Sequence, residues 1–309
     1  MSTLCLENQT NVKDIILLGF QGKQGRNIPL ASLFMIIYLS INIGNGLIVI
    51  TVCLQQNLQK PMYYLLAHFS GLEICYTAVF MPWIIVSLMT GIQMMPLTRC
   101  MIQLYFYISF GVSELLLLAV MAVDRHQAIC NPLHYTQVMN KKICTCLSLG
   151  SWIGGFLFSL PPILLLQHLE FTGTNVINNF LCDGPAILQL SCTDTRLHDL
   201  MSFVLSIVTM MTSFLFTFCS YISVIHTILK LPKNTKKSKT FSTCSSHLTA
   251  AAIYYGSLIF MYARPQSIKT YDVHKTISTF YTIILPIINP LIYSLRNKEF
   301  KDAVKRLFQ

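Results

Sequence analysis

Seven stretches of the chain are apolar and long enough to cross a bilayer. They fall at about 27–53, 61–88, 98–124, 143–166, 199–229, 241–262 and 273–294, with the charged residues gathered between them. A membrane-spanning helix needs about 20 mostly apolar residues, and each run supplies that many. A membrane barrel would instead need many short strands alternating apolar and polar positions, and the sequence has no such series. Pro82 interrupts the second run, Pro161 and Pro162 the fourth, and Pro286 and Pro290 the seventh. Membrane helices tolerate such prolines, because neighbouring groups re-satisfy the freed carbonyls. The pattern therefore predicts an all-α membrane protein. It is a seven-transmembrane helix bundle over residues 27–294, preceded by a mostly polar segment 1–26 and followed by a tail 295–309. In that tail NKEFKDAVKRL places Phe300, Val304 and Leu307 on one helical face with basic residues between them, which predicts a short amphipathic helix on the membrane surface.

Composition agrees with a bilayer setting. Of 309 residues 53% are hydrophobic and 11% charged, with a mean hydropathy of +0.57, whereas soluble domains carry about 25% charged residues. The net charge of +10 raises the question of nucleic acid. The basic residues, however, form no groove-sized patch interleaved with exposed aromatics. They collect at the ends of apolar runs, most densely in Lys230, Lys233, Lys236, Lys237 and Lys239, and again in Arg296, Lys298, Lys301, Lys305 and Arg306. With the N-terminus outside, 14 of the 22 Lys and Arg residues are cytoplasmic, the orientation that the positive-inside rule favours. Lys13, Lys23 and Arg26 ahead of the first run oppose that orientation locally, but the clusters flanking the sixth run and following the seventh outweigh them. The sequon at Asn8 also requires an exported N-terminus to be glycosylated. Segment 1–26 lacks the n-region, apolar core and cleavage site of a signal peptide, so the first span is expected to act as an uncleaved insertion signal.

Four motifs narrow the class. The second run begins KPMYYLLAHFSGLEICYT, the third ends MAVDRHQAICNPLHY, the sixth begins KTFSTCSSHLTA and the seventh ends PIINPLIYSLRNKEF. In order and spacing they resemble the signatures of the olfactory receptor branch of the rhodopsin-like G-protein-coupled receptors, from Gly44 and Asn45 to Lys298. The resemblance implies a plasma-membrane receptor of olfactory sensory neuron cilia. Such a receptor binds a small odorant and activates a stimulatory heterotrimeric G protein that raises cyclic AMP. It has no catalytic activity, and no HExxH, GxSxG or GxxxxGK[ST] motif occurs in the chain. Two rival readings are a related receptor for a lipid or peptide, and a channel or transporter. No internal repeat supports the transporter.

Individual residues acquire roles from the same comparison. Asp124, Arg125 and His126 close the third run. A guanidinium at the membrane edge needs a partner, and adjacent Asp124 can hold it until the helices part. The family usually has Tyr where this chain has Val123 and His126. Tyr221 and His247 look like the active-state partners of Arg125. Asn289, Pro290 and Tyr293, with Asn45, place polar groups where lipid cannot satisfy them, so they point inward. By resemblance they form a hydrogen-bonded activation switch; the plainer alternative is a proline kink with satisfied neighbours. Glu73 and Glu114 are carboxylates well inside apolar runs, each costing about 2.5–3.5 kcal/mol at a helix centre. A shared sodium ion or a retained proton would relieve the pair; hydrogen bonding within the bundle is the other reading. No other cofactor is implied.

The eleven cysteines are odd in number, so at least one thiol is left over. By resemblance Cys100 and Cys182 form the disulfide that ties the loop before the fifth run over the ligand pocket. Thr172 occupies the position of a second family cysteine, so Cys192 is expected to be unpaired. The resemblance also maps a ligand pocket onto Tyr107, Ile108, Gly111 and Val112 of the third run and Ser202, Leu205 and Ser206 of the fifth. The sixth adds Tyr255, Leu258, Ile259 and Tyr262, and the seventh Thr279 and Thr282. This lining is apolar with scattered hydroxyls, which suits a small, mostly apolar molecule carrying one or two polar atoms.

Overall fold

The computed structural model describes residues 12–19, 26–171, 175–188, 190–230, 244–245, 247–256, 282–290 and 298–307. In chain order its helices are α1 (Ile28–Leu54), α2 (Pro61–Thr90), α3 (Leu97–Cys130), α4 (Tyr135–Val138), α5 (Lys141–Gln167), α6 (Gly184–Leu188) and α7 (Arg196–Lys230). Helical residues 247–256 (α8) and 282–290 (α9) fall in the sixth and seventh apolar runs, and α10 (Lys298–Leu307) ends the described chain. Five of these, α1, α2, α3, α5 and α7, are long and apolar enough to span a membrane. They coincide with the first five runs of the sequence. Much of the sixth and seventh runs lies outside the described residues, so five of the seven expected spans are seen as whole helices.

Local chemistry sets the helix ends. Asn27 and Asn140 cap α1 and α5, their side-chain oxygens accepting from the Leu30 N–H at 3.2 Å and the Ile143 N–H at 3.0 Å. Pro61 opens α2, where its missing N–H costs no helical bond. Gly91 closes α2 at φ 76°, a left-handed conformation natural to glycine.

The chain divides into two compact units. The first comprises residues 1–38, 76–112 and 155–208. Its distinctive feature is a three-stranded sheet of order β2-β1-β3, where β1 is Asp14–Leu17, β2 is Met94–Pro96 and β3 is Val176–Ile177. β1 runs antiparallel to β2, with Ile15 opposite Met95, and parallel to β3, with Leu17 opposite Ile177. The alternation of β1 puts Ile15 and Leu17 into a core with Met95, Leu104, Leu166 and Ile177. A disulfide joins Cys100, near the start of α3, to Cys182, with Cα atoms 5.4 Å apart. Where Pro82 disturbs the α2 ladder, the Gln103 amide donates to the Val79 carbonyl at 3.1 Å, while its oxygen accepts from the Cys182 N–H at 3.2 Å.

Cys192 departs from expectation. Its sulfur is in a disulfide rather than a thiol, so the loss of the family cysteine at Thr172 did not leave it unpaired. Seven other cysteines, Cys53, Cys75, Cys130, Cys144, Cys146, Cys219 and Cys244, are free thiols, as expected for cysteines in or beside helices.

The second unit comprises residues 39–75, 113–154 and 209–309. Leu115, Leu118, Ala251, Tyr254, Tyr255 and Leu285 form a core there. Gly44 lets α1 approach Pro290 closely: a Cβ at position 44 would stand 3.3 Å from the Pro290 Cβ. Helix α10 buries Phe300 and Ala303 and half-buries Val304 and Leu307. Glu299 lies in its first turn and Lys305 and Arg306 in its last, an order that complements the helix dipole. The Glu299 carboxylate accepts from Lys60 Nζ at 2.8 Å and from the Tyr63 hydroxyl at 3.1 Å.

The Lys60 hydrogen bond holds the Glu299 carboxyl below the usual glutamate range, against a smaller opposing effect of burial. A carboxyl lowered by folding stabilises the folded state above its unfolded value of about 4.3, and loses that contribution as pH falls through the folded value. Both side chains are more than half exposed, so the effect is modest and sensitive to salt. The protection of α10 amides, corrected for the intrinsic pH dependence of exchange, should therefore fall as pH drops below the usual glutamate range, and this acid step should vanish in Glu299→Gln. An unchanged step in that variant would assign it to another group.

Candidate functional site

The second unit holds two buried polar clusters. At the end of α3, Arg125 Nη2 and Asp124 Oδ2 are 2.5 Å apart, and the Tyr135 hydroxyl donates to Asp124 Oδ1 at 2.8 Å. Both charged residues are nearly inaccessible, Asp124 at 1% and Arg125 at 8%. A buried carboxylate is tolerable only when paired and hydrogen-bonded, and here a cation and a phenol satisfy it together. Arg125 Nε finds no acceptor among the described residues. Tyr221 and His247 are buried, and His247 lies within electrostatic reach of Arg125. Beside them Val224, Ile228 and Cys244 form a small apolar cluster, and the Cys130 thiol meets the Thr227 hydroxyl at 3.2 Å. His126 is half-buried.

Tyr135 is the member that sequence reasoning missed, although it is the last letter of MAVDRHQAICNPLHY. The motif signalled the residue, but eleven positions along the chain gave no hint that the turn through Pro132 folds its hydroxyl back onto Asp124. Burial, and then the neighbouring Asp124 carboxylate, hold the Tyr135 phenol above its ordinary range. It therefore remains a donor well into alkaline pH.

The second cluster centres on Glu73, Glu114 and Asn289, all buried, as is Asn45. Asn289 Nδ2 donates to Glu73 Oε1, while Asn45 Nδ2 donates to the Ile41 carbonyl at 3.1 Å within its own helix. Asn289 thus engages the carboxylate, and Asn45 engages its own backbone. Glu73 and Glu114 lie within electrostatic reach of each other, and Glu114 Oε1 has no hydrogen-bond partner among the described residues. No group of three or more His, Cys, Asp or Glu side chains gathers among those residues, so a transition-metal site is not part of the described structure. Pro290 lies on Gly44, as described above; Tyr293 is outside the described residues.

The expected ligand positions are distributed as follows. In the first unit Tyr107 stacks on Tyr76 with centroids 5.2 Å apart and meets Phe80 edge-on at 6.0 Å. Gly111 is bare beside them, a Cβ there meeting Tyr76 at an ordinary 3.9 Å. Ile108 packs on the core around the Cys100–Cys182 bridge, and Val112 and Leu205 are half-buried. Ser202 lies 3.4 Å from His198 Nδ1, and Ser206 is exposed. In the second unit Thr282 is fully buried. The hydroxyl of Tyr255 meets Ser213 Oγ at 2.5 Å and Thr217 Oγ1 at 3.0 Å, and Ser213 also donates to the Leu115 carbonyl at 2.7 Å. The Tyr255 hydroxyl is therefore already committed to α7. Leu258, Ile259, Tyr262 and Thr279, like Asn8, lie outside the described residues. A separate cleft of the first unit, walled by Leu17, Trp83, Ile84, Leu88, Gln93 and Phe180, has room for about one water.

Removing the Tyr135 hydroxyl tests the first cluster. Tyr135→Phe strips one bond from a buried carboxylate, a loss worth about 1–3 kcal/mol. The detergent-purified variant should unfold at a lower temperature than the parent chain. An unchanged midpoint would mean that Asp124 does not depend on the phenol.

The sequence pattern described as "Olfactory receptor" matches residues 34–309. Olfactory receptor 6C75 of Homo sapiens is 42% identical over 305 residues, covering 98% of this chain and 97% of that protein. Olfactory receptor 6Z7 of Mus musculus is 41% identical over 304 residues, at 98% and 97% coverage. Olfactory receptor 6B1 of Homo sapiens is 44% identical over 302 residues, at 98% and 96%.

Proposed function

Because the chain belongs to the olfactory receptor family, we propose that it is an odorant receptor. It takes a small, mostly apolar molecule and passes the signal to a stimulatory heterotrimeric G protein, which raises cyclic AMP. The observation that carries the reading is the closed Asp124–Arg125–Tyr135 cluster. An ionisable residue in or at the edge of a membrane span is a functional-site hypothesis by default, and here the buried cation is held by its sequence neighbour.

The mechanism is a shift of population between two states. In one, Arg125 is held by Asp124, and Tyr135 supports the pair. Odorant binds more tightly to the other state, in which Arg125 leaves Asp124 and turns toward Tyr221, His247 and an incoming helix of the G protein, a helix-in-groove partnership. The stacked Tyr76 and Tyr107 rings, with Phe80 and bare Gly111, provide an apolar wall suited to a volatile ligand. In this reading the N-terminus is extracellular and glycosylated at Asn8, and the receptor works in the plasma membrane of olfactory sensory neuron cilia. An odorant panel read through cyclic AMP tests the proposal directly. Cells expressing the chain should respond to at least one odorant, and Arg125→Ala at equal surface level should reduce that response at least tenfold. A full response in the variant would overturn the coupling role.

The carboxylate pair fits a sodium ion or a shared proton, since Glu114 Oε1 is buried without a hydrogen-bond partner among the described residues and Glu73 is close enough to repel it. Glu73, Glu114 and the Asn289 amide oxygen are the groups that would hold the ion, whose positive charge would offset two carboxylates. Replacing sodium by choline at constant ionic strength should lower the unfolding temperature of the purified receptor, and Glu114→Gln should abolish the difference. Equal stability in the two salts would leave the shared proton as the reading.

A further inference from the structure

We propose that Gln103 is a positioning residue for ligand selectivity: through the Cys182 backbone it fixes the height, along α3, at which the disulfide-bearing loop stands over the aromatic wall. The proposal rests on the odorant reading and adds a determinant to it. All the residues concerned belong to the first unit.

The Gln103 side chain is buried and used at both ends of its amide. The nitrogen donates to the Val79 carbonyl of α2 at 3.1 Å, and the oxygen accepts from the Cys182 N–H at 3.2 Å. Each bond answers a separate need. Pro82 has no N–H and its ring crowds the carbonyl four residues back, so the α2 ladder is weakened at Ala78, next to the carbonyl that Gln103 engages. Cys182 is buried and belongs to no helix or strand, and a buried N–H without a partner is costly. A carboxylate or an ammonium meets only one of these needs; a primary amide, carrying donor and acceptor in one plane, meets both.

The register of α3 connects that amide to the ligand wall. Gln103, Tyr107 and Gly111 follow one another at four-residue intervals, so they share a face. That face looks at α2, because Tyr107 stacks on Tyr76 at 5.2 Å and a Cβ at position 111 would meet Tyr76 at 3.9 Å. Four residues of helix rise about 6 Å, so the Cys182 backbone is held one turn of α3 away from the Tyr107 ring. The Cys100–Cys182 bridge does not by itself set that height. It tethers Cys182 through side chains whose single bonds can turn, whereas a hydrogen bond to the backbone N–H is directional and orients the peptide itself. A ligand lying against Tyr107 meets the loop where Gln103 puts it. Gln103 thereby limits the length of molecule that fits, without touching the molecule.

The full-length receptor tests this in two variants matched to the parent for surface level. Gln103→Met keeps the length of the side chain and removes both bonds. Gln103→Glu keeps the acceptor for the Cys182 N–H whether or not its carboxyl is protonated. Each is read by hydrogen exchange of the peptide spanning Cys182 in purified receptor, and by cyclic AMP potencies over a panel of straight-chain and ring-bearing alcohols and aldehydes in homologous lengths. In Gln103→Met exchange at Cys182 should quicken about tenfold, the loss of roughly one hydrogen bond, and the potency ratio of long to short homologues should shift about fivefold. In Gln103→Glu both should remain at parental values. A role confined to stability would lower the maximal response and leave the ratio unchanged. If Gln103→Met does not mature, Gln103→Ser, whose short arm breaks both bonds and leaves room for water, carries the same expectation. Silence of the parent toward the whole panel would sink the odorant reading and the proposal with it. A parental response whose length ratio persists in the Met or Ser variant would overturn the proposal alone, as would unchanged exchange at Cys182.

Discussion

Hydrocarbon offers no hydrogen bonds, and the structure is organised around that restriction. Each polar side chain that enters an apolar helix must find its partner within the protein, and the nearest acceptor is a backbone carbonyl one turn back. Asn45 uses Ile41, Thr51 uses Leu47, Thr90 uses Val86, Ser151 uses Leu147 and Ser159 uses Gly155. Where the helix itself is disturbed, a neighbouring helix intervenes, as Gln103 does beside Pro82. Apolar side chains face no such demand. Ile36 and Ile43 of α1, and Phe203 and Phe216 of α7, are exposed, surfaces that only lipid can cover comfortably.

The same restriction concentrates charge into a few cooperative groups. Asp124 cannot be buried alone, so it holds a guanidinium and accepts from a phenol. Glu73 takes the Asn289 amide, and Glu114 stands close enough to raise the cost of a second negative charge. Tyr255 shows the neutral version of this economy, its hydroxyl linking Ser213 and Thr217 so that three hydroxyls satisfy one another. Outside the apolar helices the demand is weaker. Lys60 and Glu299 meet while remaining largely in solvent.

The first unit solves a different problem. Its loops and N-terminal segment lack a long helix to fix them, so short strands and sulfur do the work. β1 is four residues long and would not persist alone, but it is bonded on both edges and inserts Ile15 and Leu17 into the core around the Cys100–Cys182 bridge. Cys192, in the same unit, is also disulfide-bonded.

Length, hydropathy and motif order in the sequence determined the family, the membrane setting, the first five helices and the amphipathic helix at the end, because each depends on a periodic or contiguous pattern that a one-dimensional reading can recognise. The Cys100–Cys182 pairing came with the family resemblance. The tertiary structure decided what depends on distant partners. Four residues of DIIL became a strand only because Met95 and Ile177 flank them. Tyr135 joined Asp124 only because the turn after α3 brings it back. Asn289 chose Glu73 over Asn45, and the Tyr255 hydroxyl was taken by α7. Cys192 is the clearest instance: the missing cysteine at Thr172 predicted a free thiol from the family pattern, yet its sulfur is bonded. A cysteine pairs with whatever the fold brings within reach, and sequence spacing does not measure that distance.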